Sequence, residues 1–126
     1  MENELKDVTS NELAYIGDAV IELLVRRDLV TGDDHPKHLS DEAVRYVSAA
    51  AQSDALARVE DSFTEEEAEV YRRARNSYHT SNVPKSATAL QYRRSTGFEA
   101  VFGYLYLKGD AERIETLYKI AYGREI

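Results

Sequence analysis

Two acidic residues interrupt apolar runs that lie far apart in the chain. Asp18 stands within residues 13–21, and Glu99 stands within residues 97–107. We expect both runs to be buried, where an ionised carboxylate is costly unless a cation or hydrogen-bond donors compensate it. The neighbouring sequence offers neither acid an obvious partner. A divalent metal ion shared by Asp18 and Glu99 would satisfy both, so we predict that the two residues bind one metal together.

The residue types around these acids favour a hard metal ion. The chain has no cysteine, and carboxylate oxygens without thiolate or histidine ligands favour Mg²⁺, with Mn²⁺ as a substitute, over zinc. Glu22 lies about one helical turn from Asp18, and Thr96 lies about one turn from Glu99. We predict that both adjust the metal site without binding the metal directly. The expected chemistry is metal-assisted attack of water on a phosphodiester.

Each of these residues also has an ordinary structural explanation. A buried acid taken by itself is more often a hydrogen-bonded part of the core than a metal ligand. Glu22 precedes Arg26 by four residues, and an exposed position or an ion pair with Arg26 explains it better than a role at a metal. The metal hypothesis therefore depends on Asp18 and Glu99 meeting in the folded chain.

Positive charge is concentrated in one segment of an acidic chain. The formal net charge is -7, yet residues 70–98 contain six basic side chains and no acid. Such a distribution is typical of a local surface that binds anions, although a solvated basic surface or the cationic end of a helix is the alternative. Basic and amide side chains suit contacts to a phosphate backbone. The predicted phosphate-contacting residues are Arg72, Arg75, Asn76, Lys85, Arg93 and Arg94.

Helical patterns dominate the elements that must position these residues. Capping-box sequences begin at Thr9 and Thr64, and Gly109 followed by Asp110 indicates the end of one helix and the start of the next. The helices are predicted over about residues 9–29, 40–59, 64–75, 87–107 and 111–122. The fourth could be broken at residues 95–97. The longest irregular stretch, residues 76–86, lies inside the basic segment, and we predict an all-α fold.

The composition limits the size and setting of the protein. A chain of 126 residues with 43% hydrophobic residues can form one compact domain, over residues 1–126, and is too short for two. The lack of cysteine excludes disulfides and favours an intracellular setting. The acidic N-terminus does not resemble a signal peptide, and no apolar run approaches membrane-spanning length. We predict a soluble, cytoplasmic protein with no membrane partner.

Three blocks of the sequence together resemble the Mini-ribonuclease III family. They are residues 13–20 (LAYIGDAV), residues 75–76 with 83–85 (RN and VPK), and residues 92–107 (YRRSTGFEAVFGYLYL). This family consists of the ribonuclease III catalytic domain alone, which is all-helical and homodimeric. The resemblance implies that Asp18 and Glu99 are the metal-binding catalytic carboxylates and that the phosphate-contacting residues bind RNA. It further implies Mg²⁺-dependent hydrolysis of double-stranded RNA to 5'-phosphate and 3'-hydroxyl ends, in the maturation of the large-subunit ribosomal RNA precursor.

Two positions differ from full-length ribonuclease III and motivate an alternative. Those enzymes carry further acids four residues before the first carboxylate and three before the second, where this chain has Ala14 and Thr96. The Mini family shares this difference. A catalytically inactive RNA-binding or ribosome-associated module with the same fold is therefore the second hypothesis. A third is a helical adaptor whose basic face meets an acidic protein.

Overall fold

The computed structural model describes residue 5 and residues 7–32, 35–77 and 87–126. Within these ranges the chain forms six α-helices, one short 3-10 helix and no strand, which confirms the predicted all-α fold. The elements are α1 (Ser10–Leu29), α2 (Pro36–Val47), α3 (Ala49–Val59), the 3-10 helix (Glu60–Ser62), α4 (Glu65–Asn76), α5 (Ala89–Lys108) and α6 (Ala111–Tyr122). None of these helices is long and apolar enough to cross a membrane.

Side-chain caps fix most of the helix ends where the sequence predicts them. Thr9, Thr64 and Thr88 each accept a hydrogen bond from the backbone three residues later, and all three belong to complete capping boxes. Gly109 ends α5 with a left-handed backbone (φ 83°), and the Asp110 side chain caps α6. The caps at Thr9, Thr64, Gly109 and Asp110 need no tertiary contact, and the sequence predicted them correctly; the capping box at Thr88 was not predicted.

The single helix predicted over residues 40–59 is wrong, because this stretch contains two helices. The first begins earlier, with Pro36 in its first turn, where the missing N–H of proline has no helical partner to lose. The chain then leaves the helical conformation at Ser48 (φ -63°, ψ 159°), whose hydroxyl accepts a 3.2 Å hydrogen bond from the backbone N–H of Ala51. The hydrogen bond from the Ala51 N–H to the Ser48 hydroxyl starts the new helix. It replaces the backbone hydrogen bond that would have continued the first helix.

By contrast, α5 passes through residues 95–97 without a break. The hydroxyls of Ser95 and Thr96 donate hydrogen bonds to the carbonyl of Tyr92, one turn earlier, at 2.8 and 3.0 Å. Gly97 faces α4, where a β-carbon would lie 2.5 Å from the ring of Tyr71. The glycine therefore serves the close packing of α4 on α5 and does not end the helix.

The core is built around α5, which packs against α1, α3 and α4. Phe98, Val101 and Phe102 are fully buried, and Tyr122 of α6 packs against Phe98 with ring centroids 6.1 Å apart. Large aromatic side chains of this kind contribute much of the apolar surface that folding removes from water. The central position of α5 means that any side chain it turns toward α1 or α3 lies at a helix junction.

Two glycines let α1 and α5 approach until their backbones touch. A β-carbon on Gly17 would lie 1.6 Å from the backbone oxygen of Glu99, and one on Gly103 would lie 1.9 Å from the backbone oxygen of Leu13. No larger residue fits at either position without moving a helix. This crossing brings residue 18 next to residue 99.

Candidate active site

The crossing of α1 and α5 places Asp18 and Glu99 on the wall of one cleft of about 320 Å³. The cleft is lined by Asn11, Ala14, Tyr15, Asp18, Tyr92, Thr96 and Glu99. The structure therefore brings together the two acids that the sequence singles out, although they are far apart along the chain. It also places Thr96 in the cleft, where its hydroxyl is already engaged with the carbonyl of Tyr92.

The two acids differ in their surroundings, and the prediction that Asp18 is buried is wrong. Residues on one side of α1, including Gly17 and Ile21, face the core, whereas Asp18 and Tyr15 lie on the exposed side. A helix turns by about 100° per residue, so an apolar run can still carry an outward-facing acid. Glu99 is half-buried, and the residues on either side of it on α5 are almost all buried.

Glu99 is in an environment that disfavours its negative charge. Burial raises the pKa of its carboxyl well above the usual value, and the adjacent Asp18 carboxylate raises it further by repulsion and by sharing a hydrogen bond. The amide of Gln52, on α3, acts in the opposite direction by donating to Glu99 Oε2 at 3.4 Å. Among the described residues, the site therefore brings two like charges together, and the hydrogen bond from α3 comes from a neutral amide.

The donor set fits a divalent cation such as Mg²⁺. Two carboxylates lie side by side, and the ion pairs found within the described ranges include neither of them. No group of three or more acidic or histidine side chains suited to a metal occurs among the described residues. Mg²⁺ accepts this arrangement because it commonly keeps several waters and takes only one or two carboxylates from a protein. Asp18 and Glu99 are the residues that would hold it.

Gln52 is a part of the site that the sequence analysis missed. Its side chain is 1% exposed, which is unusual for a glutamine, and it reaches Glu99 from a third helix. The signal was present in the spacing of α3, because Gln52, Leu56 and Val59 follow one buried helical face.

Three further cleft residues were also missed. Asn11 and Tyr15 precede Asp18 by seven and three residues and therefore lie on the same side of α1. Tyr92 holds the corresponding position on α5, seven residues before Glu99. Helical spacing from the two acids would have found all three.

Glu22 does not line the cleft. Its carboxylate accepts a hydrogen bond from Arg26 at 2.9 Å, in an exposed pair one turn apart. This arrangement matches the structural alternative named for Glu22 in the sequence analysis. Among the described residues, this ion pair gives Glu22 no part in the cleft, and its supporting role at the metal stays a prediction.

The predicted phosphate-contacting residues lie in two groups, at the end of α4 and near the start of α5, with Lys85 outside the described residues. At the end of α4, Arg72 pairs with Glu69, and Arg75 lies over the ring of Tyr71 at 5.5 Å. Exposed pairs of this kind are weak and leave a guanidinium free to exchange partners. Asn76, the last residue of α4, is exposed and accepts a 3.3 Å hydrogen bond from Arg75.

The second group is formed by Arg93 and Arg94 near the start of α5. Both are half-buried, and Arg94 donates a 3.3 Å hydrogen bond to the backbone carbonyl of Ser53 on α3. Arg94 thus contributes to helix packing in addition to any contact with a ligand. The packing of Tyr71 on Gly97 holds the two groups on adjoining helices.

Comparisons with known proteins agree with this geometry. A ribonuclease III domain matches residues 11–110. The Mini-ribonuclease 3 of Thermoanaerobacter sp. (strain X514) is 41% identical over 110 residues, covering 86% of this chain and 77% of that protein. The Mini-ribonuclease 3 of Streptococcus pneumoniae is 44% identical over 108 residues, covering 83% of this chain and 84% of that protein. A crystallised protein from Fusobacterium nucleatum superimposes with a TM-score of 0.87 over 98% of both chains, at 28% identity. The chain therefore belongs to the ribonuclease III family of endoribonucleases, within its Mini-ribonuclease III branch.

Proposed function

We propose that this protein is a metal-dependent endoribonuclease that cleaves double-stranded RNA. The observation that carries the proposal is the meeting of Asp18 and Glu99 in an open cleft, where the ion pairs of the described residues include neither acid. Carboxylates in a structural role are normally neutralised by an arginine or lysine, whereas Glu99 accepts a hydrogen bond from the neutral amide of Gln52. Family membership supplies the expected substrate class.

In this proposal Asp18 and Glu99 hold Mg²⁺, or Mn²⁺ as its substitute. The bound cation supplies Lewis-acid chemistry, which makes a water molecule more acidic and stabilises charge on a phosphate. Asp18, on the exposed side of α1, is accessible to an incoming phosphate. Glu99 is fixed from behind by Gln52 and by the α1–α5 crossing, so it offers its carboxylate in one orientation. The products would carry 5'-phosphate and 3'-hydroxyl ends.

The basic residues of α4 and α5 are proposed to bind the RNA backbone. Arg72, Arg75 and Asn76 at the end of α4 would contact phosphates as one group, and Arg93 and Arg94 on α5 as a second. Lys85, which lies outside the described residues, is proposed as a further contact. A surface that neutralises phosphates releases counterions, so RNA affinity should fall steeply as salt rises. The proposed natural substrate is the precursor of large-subunit ribosomal RNA, in the cytoplasm.

We further propose that the working form is a homodimer. Tyr15 and Leu23 are 81% and 68% exposed, and with Ala19 they form an apolar stripe along α1 beside Asp18. Apolar surface of this kind is covered favourably by a second copy related by two-fold symmetry. Two-fold pairing would set two cleavage sites on one RNA duplex, one for each strand.

The experiment that tests the proposal is cleavage of duplex RNA by the purified protein with Mg²⁺. Asp18→Asn and Glu99→Gln keep the side-chain shapes but remove the charges, so both should bind RNA without cutting it. The control is Glu112→Gln, which removes an exposed acid on α6 and should cleave like the wild type. Cleavage by either Asp18→Asn or Glu99→Gln at the wild-type rate would overturn the assignment.

A second candidate function is RNA binding without catalysis. It is favoured by the presence of only two acids among the described residues of the cleft wall, with Ala14 and Thr96 at the positions where full-length ribonuclease III has further acids. The same experiment separates the two functions. A binding module would retard the duplex in a gel at every Mg²⁺ concentration and leave its length unchanged.

A further inference from the structure

The buried amide of Gln52 contacts the Glu99 carboxylate from the protein core. The side chain extends from α3 into the junction with α5, is 1% exposed, and places Nε2 3.4 Å from Glu99 Oε2. Removing an amide from water without good hydrogen bonds is unfavourable. Leu56 and Val59, on the same face of α3, are fully buried and apolar, so an apolar residue would also suit the packing at this position.

The chemical character of this donor is informative because it carries no charge. A lysine or arginine at the same place would bind the carboxylate more strongly, but it would also neutralise it. An amide fixes the orientation of one carboxylate oxygen and leaves the negative charge intact. Groups that hydrogen-bond to metal ligands commonly act in this way, by orienting the ligand and preserving its affinity for the cation.

We propose that Gln52 is a positioning residue, which holds the Glu99 carboxylate toward Asp18 while leaving its charge available to a divalent cation. This inference rests on the proposed function, because it assumes that Glu99 is a metal ligand. The competing explanation is that Gln52 is only a polar tie between α3 and α5. The two explanations differ in whether loss of the amide changes metal affinity or only stability.

The test is calorimetric titration of Mn²⁺ into the metal-free protein without RNA, on the wild type and Gln52→Met. Methionine has a similar length and fits an apolar core, but it cannot donate to Glu99. We expect Mn²⁺ affinity to fall about 10- to 100-fold, the usual effect of removing a group that orients a metal ligand. A thermal unfolding curve of each metal-free protein shows whether the fold is kept.

Val59→Ala is the matched control for loosening of α3. Val59 is fully buried on the same helix, two turns from Gln52, and its apolar side chain has neither a hydrogen-bonding atom nor a charge with which to act on Glu99. This variant should lower the unfolding temperature and leave Mn²⁺ affinity within about twofold of the wild type, because no metal ligand loses its partner. Wild-type Mn²⁺ affinity in Gln52→Met, or an equal loss of affinity in Val59→Ala, would overturn the positioning role.

Gln52→Asn keeps the inference testable if the methionine variant does not fold. Asparagine retains a polar amide but is one methylene too short to keep the contact with Glu99, so it should show the same loss of affinity.

Asp18→Asn separates the two proposals, because it removes a metal ligand and leaves Gln52 in place. If the wild type binds Mn²⁺, Asp18→Asn does not, and both Gln52 variants bind normally, only the positioning role fails. If the wild type binds no Mn²⁺, both the proposed function and the positioning role fail.

Discussion

Two glutamates in this protein each contact a neighbouring helix, but the charges of their partners are opposite. Glu67 on α4 is 3% exposed and accepts two hydrogen bonds from Arg113 of α6, at 2.8 and 2.9 Å. Glu99 on α5 faces the carboxylate of Asp18 and receives one hydrogen bond from the neutral Gln52. A compensated carboxylate joins two helices, whereas an uncompensated one retains affinity for a cation from solution.

The pKa values of the two glutamates are shifted in opposite directions, in line with the charges of their partners. Burial would raise the pKa of Glu67, but its hydrogen bonds from Arg113 and from the backbone of Thr64 outweigh burial and leave the pKa lowered. Burial also raises the pKa of Glu99, and there the neighbouring Asp18 adds to the effect. Burial alone therefore does not distinguish a structural acid from a functional one; the charge of its partner does.

The largest expected effect comes from breaking the compensated pair. Arg113→Met would leave Glu67 buried without its counter-ion, and the free energy of unfolding should fall by about 3 to 5 kcal/mol. Denaturant unfolding measures this loss. Lys119→Met, an exposed change on the same helix, is the control and should alter stability by less than about 0.5 kcal/mol. A loss below about 1 kcal/mol in Arg113→Met would show that the pair is not structural.

Metal should stabilise the uncompensated pair. At a Mg²⁺ concentration 100 times its dissociation constant, the wild type should gain about 2.7 kcal/mol of stability, because the cation binds only the folded protein. Asp18→Asn should gain little, and Glu67→Gln should gain as much as the wild type. Thermal unfolding with and without Mg²⁺ measures the three shifts. An equal gain in Asp18→Asn would place the cation elsewhere.

Neutralising each glutamate in metal-free buffer should have effects of opposite sign. The folded-state pKa of Glu67 is lowered, so its contribution to stability is present above the pKa of the unfolded state and is lost as pH falls through the folded pKa. The folded-state pKa of Glu99 is raised, so its contribution is present below the unfolded pKa and is lost as pH rises through the folded pKa. At pH 7, Glu67→Gln should therefore destabilise the protein and Glu99→Gln should stabilise it. Urea unfolding between pH 3 and pH 8 measures both, and a shared sign would contradict the comparison.

The smallest effect is expected for an acid that is paired but exposed. Glu69 pairs with Arg72 and Arg73 on the surface of α4, where water and salt screen the interaction. Glu69→Gln should change the free energy of unfolding by less than about 1 kcal/mol. It should also strengthen RNA binding at low salt, because two arginines lose an internal competitor. Unchanged or weaker RNA binding would contradict the proposed contact of Arg72 with RNA.

The sequence predicted the parts of the fold that depend on neighbouring residues. The caps at Thr9, Thr64 and Gly109 are local hydrogen bonds or backbone preferences, so they could be placed from residue type and spacing alone. The break at Ser48 was missed because a serine in a helical pattern is compatible with both a continued helix and a new cap. The continuity of α5 was uncertain from sequence for a similar reason, since Gly97 can end a helix or admit a neighbour.

The sequence by itself determined which two acids stand out and that each lies on a helix. Only the tertiary structure decided that Asp18 is exposed, that Glu99 is half-buried, and that a glutamine from a third helix contacts Glu99. The physical reason is that these properties arise where α1, α3 and α5 meet, at a distance set by backbone contact through Gly17 and Gly103. Contacts between residues far apart in the chain have no counterpart in local spacing, so they become visible only once the helices are packed.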